Sequence, residues 1–571
     1  MSQDSSGSDP DPDDGPGNVL FVVMDTVRKD HLTPYGYDRP TTPGLASFAE
    51  EATVFEEAVA PAPWTLPVHA SMFTGTYPSR HGADQENPYL DGATTLAETL
   101  SAAGYDTACY SSNAWITPYT HLTDGFDDQD NFFEVMPGGF LSGPLARAWR
   151  TLNDNDSLRR VADKLVSLGN SAHELLAGGG SADSKTPAVI DSVQSFVESS
   201  DDWFVFANLM DAHLPYHPPE EFVEEFAPSV SSEDVCQNSK EYNSGARDID
   251  DDEWAAISGL YDAEIAHIDD QLTRLFDWLK ARGEWDDTTV IVCADHGELH
   301  GEHDLYGHEF CLYDPLVNVP LLVKHPSLGT GRRDDVVELI DLYHTVLDAL
   351  GVEGGTPASP GEEAVALDPT RSLLSGPETY RAFDTVDDPD AGQRAGADHA
   401  YVEYSRPVVE LKQLEEKASD AGLAIPEESR FYSRMRAARS TTAKYVRVDR
   451  TPDEAYRLDR DPGETENLVG PAPPGRANGG RRASDRGEAG AGAGTGNDGR
   501  AGAGASADGG VADPGAIEDE HVAAAEQALA RFEAAAGGAW TDADTGEVSD
   551  ESVSDMDSEM QDRLRDLGYL E

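Results

Sequence analysis

Positive charge is what this chain has least of: 41 Lys and Arg stand against 108 Asp and Glu over 571 residues, a net charge of −67. Phosphate backbones are held by basic faces, so nucleic acid is excluded as a partner. So much like charge opposes compaction in dilute buffer, but at molar salt the Debye length falls to about 3 Å and the repulsion is screened. The expectation is a protein adapted to concentrated salt, with a halophilic archaeon as its source. Cysteine is scarce as well. Cys109, Cys236, Cys293 and Cys311 show no metal-type spacing, which argues against a thiolate metal centre or a disulfide scaffold. Long apolar runs are missing: nothing approaches the roughly 20 residues of a membrane span, and Met1 to Gly17 have neither a basic start nor an apolar core. A soluble, cytoplasmic protein is expected, of undetermined oligomeric state.

What the chain does have is a succession of buried-type strands and amphipathic helices. Apolar runs at 18–24, 105–111, 203–209, 288–294 and 319–324 alternate with helical patterns, the clearest of them from about 255 to 282 with Ile257, Leu260, Ile265, Ile268, Leu272, Leu275 and Leu279 on one side. This predicts an α/β fold with a mainly parallel sheet sandwiched by helices. Short strands near 435–440, 444–449 and 455–458 predict a small antiparallel subdomain. The boundaries read as an acidic flexible tail at 1–17, a catalytic domain at 18–395 and the small-sheet subdomain at 396–470. A Gly/Ala/Arg/Ser-rich insertion at 471–515 has too few large apolar residues to fold, and a helical C-terminal segment at 516–571 follows it.

Two of the strands end in groups that bind metals: Asp25 after Val19-Leu20-Phe21-Val22-Val23-Met24, and Asp295-His296-Gly297-Glu298 after Val290-Ile291-Val292-Cys293-Ala294. Strand ends of this kind lie at the carboxyl edge of a parallel sheet, where open α/β proteins build their sites. A carboxylate beside an imidazole suits a divalent ion, and one ion held by Asp25, Asp295, His296 and Thr65 is expected. The sequence does not choose among Mn, Mg, Ca and Zn. Between the strands lies the Pro-bracketed segment Pro63-Trp64-Thr65-Leu66-Pro67-Val68-His69, which offers Thr65 as a nucleophile. His300 and His303, in the loop after Glu298, are weighed as ligands of a second ion.

Together these motifs resemble the sulfatases of the alkaline phosphatase superfamily, over most of residues 18–470. Thr65-Leu66-Pro67-Val68-His69 followed by Thr74-Gly75 is similar to the signature Cys-x-Pro-Ser-Arg and its Thr-Gly. His213 of Asp211-Ala212-His213-Leu214-Pro215-Tyr216 looks like the substrate-contacting histidine, and His308 falls near the anion-binding lysine. Tyr456-Arg457-Leu458-Asp459-Arg460-Asp461-Pro462-Gly463-Glu464 resembles the C-terminal signature. The resemblance implies an alkaline-phosphatase-like fold and a small anionic ester as substrate.

The departures bear on the chemistry. Thr26 stands where a second Asp is usual, His69 replaces Arg, and Asn113 stands where a Lys is supplied. In the family a Cys or Ser is oxidised to formylglycine, but a threonine would give a ketone, so no formylglycine is expected. Thr65 would act as a metal-activated alkoxide forming a threonyl ester that water then cleaves. His213 and His308 bind the anion or protonate the leaving group, each with a structural role as the alternative; His69 and Asn113 contact the anion, or His69 packs beneath the nucleophile. Phosphate mono- or diesters are favoured over sulfate on these grounds. A phosphotransferase using the same intermediate, and a non-catalytic binding protein, remain as alternatives.

Overall fold

Residues Val19 to Met24 are all apolar and all fully buried, so the strand Asn18–Met24 (β1) is covered on both faces. The computed structural model describes residues 17–84, 87–132, 184–377, 399–405, 407–471, 517 and 519–536. Around β1 lie Thr53–Val59 (β2), Asp106–Ser111 (β3), Asp128–Asn131 (β4), Trp203–Leu209 (β5) and Thr288–Cys293 (β6). The two-residue strands Leu299–His300 (β7) and Tyr306–Gly307 (β8) pair in a small ribbon, and Asn318–Lys324 (β9) and Gly331–Glu338 (β10) complete the large sheet. Its eight strands run in the order β10-β2-β9-β6-β1-β5-β3-β4. All neighbours are parallel except β9, which is antiparallel to both β2 and β6. Helices flank it in two groups. Pro43–Ala49 and Thr186–Val197 pack on the long helix Asp251–Arg282, while Thr65–Thr74 packs with Leu96–Ala103 and Asp341–Ala349. The expected α/β architecture is the one observed.

The long helix starts four residues earlier than its apolar periodicity suggests. Asp250 caps it by accepting from Glu253 N, and three acids fill its first turn, where the helix dipole favours negative charge. Strands β4 and β10, missing from the sequence reading, are largely polar and sit at the two edges of the sheet. An edge strand with one exposed side lacks the apolar run that marks a central one.

A second sheet of four antiparallel strands follows: Ala400–Tyr404 (β11), Met435–Arg439 (β12), Lys444–Val448 (β13) and Glu454–Tyr456 (β14). The helix Glu520–Ala535 lies across β12 and β13, burying Val522, Leu529 and Phe532 against Tyr77 and Tyr401. The expected acidic tail, the 471–515 insertion and the closing segment near 560–570 lie almost wholly outside the described residues.

The C-terminal signature ties this sheet to the large domain. Lys444, wholly buried, places Nζ 2.6 Å from Asp314 Oδ1, 2.7 Å from Glu464 Oε1 and 2.9 Å from the Leu312 carbonyl. Glu464 also accepts from Asp314 N, and Arg439 Nη2 pairs with Asp314 at 2.8 Å. Removing one partner from such a cluster strands buried charge at a cost of about 3–5 kcal/mol. Lys444→Met is therefore expected to lower the unfolding free energy in guanidinium by that amount, a loss below about 1 kcal/mol being incompatible with this role.

Candidate active site

Three strands end at one level. Val23 pairs with Asn208 on one side and with Cys293 on the other, so Asp25 and Asp295, each two residues further on, emerge side by side at the carboxyl edge. Asp25, Asp295 and His296 are fully buried and offer ligand atoms within 4.8 Å of one another. Among the described residues no other such cluster occurs. Oδ1 of Asp25 and Oδ2 of Asp295 are buried without a hydrogen-bond partner. Burial and then the charge of Asp25 push the Asp295 carboxyl well above the ordinary carboxylate range. Burial and then His308 hold His296 well below the usual imidazole range. Its Nδ1 donates to the Gly297 carbonyl at 3.1 Å, leaving the Nε2 lone pair 3.4 Å from Thr65 Oγ1 and 3.5 Å from Asp295 Oδ2. Two carboxylates and a neutral imidazole with unsatisfied acceptor atoms fit a divalent ion.

The turns that carry these ligands are closely determined. Thr26 lies at φ 59°, a region β-branched residues avoid. It is held there by Tyr261, whose hydroxyl donates to Thr26 O at 2.7 Å, and by its own hydroxyl on the Ala212 carbonyl at 2.7 Å. The Thr26 side chain thus turns to Ala212, while Thr26 N donates to Asp295 Oδ1 at 3.2 Å. Gly297 packs so closely on the Pro315 carbonyl that a Cβ would lie 1.9 Å from its oxygen. His300 and His303 do not join the cluster: His300 Nε2 meets the Tyr216 hydroxyl at 2.9 Å, and His303 stacks on Tyr313 with ring centres 3.6 Å apart.

Thr65 opens the helix Thr65–Thr74 and is 3% exposed. That helix is seated on the sheet by an aromatic step, Phe73 on Phe206 on Phe21, with centroids 4.8 and 5.4 Å apart. Asn208 shares its strand face with Phe206 and reaches Asp25 Oδ2 at 3.1 Å, with Ser111 Oγ on its Oδ1 at 3.2 Å. The sequence reading missed Asn208, although a polar residue in an otherwise apolar strand was its signal. Asn113 Nδ2 lies 2.8 Å from Asp25 Oδ2 and 3.3 Å from Thr65 Oγ1, which joins the threonine hydroxyl to the acid. A helix N-terminus favours negative charge, so an alkoxide on Thr65 is well placed.

His69 lies one turn along, wholly buried, with Nδ1 on the Thr65 carbonyl at 2.9 Å and its ring against Phe206. Burial pushes its pKa down to about 4 against the pull of Asp25, so it brings no positive charge. In front of Thr65 opens a cavity of about 650 Å³, lined by Trp64, Asn113, Trp115, His213, Lys240 and His308 among others. His308 donates from Nδ1 to Glu298 Oε1 at 3.2 Å, and its ring centre is 4.6 Å from His296 and 5.2 Å from His213. Burial opposes charge on His308, but Glu298, by its charge and its hydrogen bond, and Glu309 together outweigh it and push the pKa up to about 9. Glu298 was read only as part of a turn. His213 donates from Nδ1 to the Leu214 carbonyl at 2.6 Å.

The chain is similar to known proteins over most of its length. A multifunctional alkaline phosphatase superfamily protein of Trinickia caryophylli is 26% identical over 510 residues, covering 79% of this chain and 91% of its own length. An uncharacterised sulfatase of Escherichia coli (strain K12) is 24% identical over 380 residues, 62% of this chain and 72% of that protein. A choline-sulfatase of Rhizobium meliloti is 22% identical over 485 residues, 80% and 83% of the respective chains. Among solved structures, the phosphonate monoester hydrolase of Agrobacterium radiobacter shares the fold with a TM-score of 0.55 at 21% identity, over 79% of this chain and 91% of that one. The Sulfatase family model matches residues 17–352, and the chain belongs to that family, within the alkaline phosphatase superfamily.

Proposed function

We propose that this chain is a metal-dependent hydrolase of sulfate or phosphate esters in which Thr65 is the nucleophile. One observation carries the reading: the Thr65 hydroxyl lies beside His296 Nε2 and the Asn113 amide, in the cluster that leaves Asp25 Oδ1 and Asp295 Oδ2 unsatisfied. Asp25, Asp295 and His296 would hold the ion, with Thr65 next to it. Such an ion, when bound, acts as a Lewis acid that lowers the pKa of a neighbouring hydroxyl and neutralises the two carboxylates.

Thr65 Oγ gives up its proton to solvent and attacks the phosphorus or sulfur. A bond to Oγ forms and the bond to the leaving alkoxide breaks. His308, held protonated by Glu298, donates a proton to the departing oxygen, and His213 on the same wall binds the anion. A water then cleaves the threonyl ester, returning the Thr65 hydroxyl and releasing the acid. Threonine cannot become an aldehyde as formylglycine does, which favours phosphate over sulfate as the substrate. The acidic composition supports a salt-adapted enzyme, so the assay belongs in molar KCl.

With Mn²⁺ supplied there, aryl phosphate diesters and monoesters are expected to turn over faster than aryl sulfate. Sulfate turned over alone would overturn the preference, and no ester turned over with any of Mn²⁺, Mg²⁺, Ca²⁺ or Zn²⁺ would overturn the hydrolase.

A further inference from the structure

At the positions where the family resemblance leads one to look for an anion-binding arginine or lysine, this chain has neither: 69 is His, 113 is Asn and 308 is His. His69 is buried with Nδ1 on the Thr65 carbonyl and its ring on Phe206, Asn113 is an amide on Asp25, and the 308 position holds a histidine bonded to Glu298. Among the described residues two lysines, Lys185 and Lys240, and no arginine line the cavity. Lys185 is exposed at the rim. Lys240 is largely covered, its side chain 16% exposed, and its Nζ bonds to Glu309, the residue after His308.

The short helix Ser239–Asn243 that carries Lys240 is fastened to the His308 loop. Asn243 Nδ2 donates to the Tyr306 carbonyl at 2.8 Å, and Tyr306 N donates to Asn243 Oδ1 at 2.9 Å. Asn238 Oδ1 caps the helix, accepting from Lys240 N at 3.0 Å and Glu241 N at 3.3 Å. These bonds fix the helix that carries Lys240, and Glu309 holds its ammonium at the cavity wall rather than leaving it on a free stem. An ammonium has three donors, so one can serve Glu309 while another meets a ligand.

We infer that Lys240 binds the substrate anion, supplying from a different segment of the chain a second cation on the cavity wall that His308 lines. The inference rests on the hydrolase reading and adds to it a substrate-binding residue. Glu309 sets the strength of the clamp: a lysine already paired to a carboxylate contributes a directed N–H but little surplus charge. The pairing suits an ester with one negative charge better than one with two.

The test measures inorganic phosphate binding to the folded, Mn²⁺-loaded protein by calorimetry, with KM for an aryl phosphate diester alongside. Because Lys240→Met alone would leave Glu309 buried and unpaired, the variant used is the double substitution K240M/E309Q, compared with K240R. Loss of a charged hydrogen bond predicts that the double variant weakens phosphate binding and raises KM by about tenfold or more, while K240R stays within about threefold of the parent. Phosphate binding within twofold of the parent in K240M/E309Q would overturn the assignment. So would K240R failing as badly as the double variant while still folded, since that pattern marks a purely structural lysine. If the parent itself bound no phosphate and cleaved no ester, the hydrolase reading would fall, and the role of Lys240 with it.

Discussion

Thr65→Ala is expected to lower kcat by about a thousandfold or more while leaving KM within a few-fold of the parent. The asymmetry follows from the geometry. The hydroxyl contacts His296 Nε2 and Asn113 Nδ2, but it is 3% exposed and forms only a small part of the cavity wall. Its removal therefore costs the reacting atom and little ground-state binding. The fold tolerates the change, because the helix is seated by Phe73 on Phe206 rather than by its first side chain. Thr65→Ser keeps the hydroxyl and loses only a methyl, so it should retain activity to within about tenfold. If the alanine variant kept the parent's turnover, Thr65 would be a structural residue at the mouth of the site.

The second large effect concerns Asp295→Asn, and its two halves run in opposite directions. In the metal-free protein Asp25 and Asp295 are buried side by side, and burial and the charge of Asp25 raise the Asp295 pKa well above its ordinary range. A raised carboxyl pKa means the folded state gains protons as pH falls, so this pair weakens the metal-free fold at neutral pH and ceases to do so under acid conditions. Asparagine at 295 removes the repulsion, and the apo variant is expected to be as stable as the parent or more so. Metal binding shows the reverse. A divalent ion at a hundred times its Kd stabilises the parent by about 2.7 kcal/mol, and the variant should show almost none of that shift in thermal unfolding with Mn²⁺ titration. Hydrolysis should vanish with it. A variant that lost apo stability and kept the Mn²⁺ shift would place the metal elsewhere.

How far the sequence reveals this protein depends on which signals are local. Asp25 and Asp295-His296 stand out together because each follows an unbroken apolar run. An acid after a strand is by itself as often a helix cap as a ligand, and it is the pair, with a hydroxyl residue in a Pro-bracketed loop, that points to a metal site. The central strands β1, β5 and β6 are legible as apolar runs of this kind. Edge strands β4 and β10 are not, since Asp128-Gln129-Asp130-Asn131 and Gly331-Arg332-Arg333 read as loop when only one side is paired. The partners that tune the site come from distant segments. Asn208 reaches Asp25 through a shared strand face, Glu298 charges His308 across a loop, and Lys240 arrives beside Glu309 by way of the bonds between Asn243 and Tyr306. Local pattern carries no record of such pairings. The sequence leaves His69 open between an anion contact and packing beneath Thr65, and the structure turns its Nδ1 to the Thr65 carbonyl with its ring on Phe206.

The central claim is that Thr65 forms a covalent ester during turnover. Rapid acid quench of the Mn²⁺-loaded protein with an aryl phosphate diester, followed by peptide mass spectrometry, tests it most directly. The account predicts a phosphoryl adduct confined to the peptide bearing Thr65, absent from Thr65→Ala. An adduct on another residue, or full turnover with no adduct at any quench time, would contradict it.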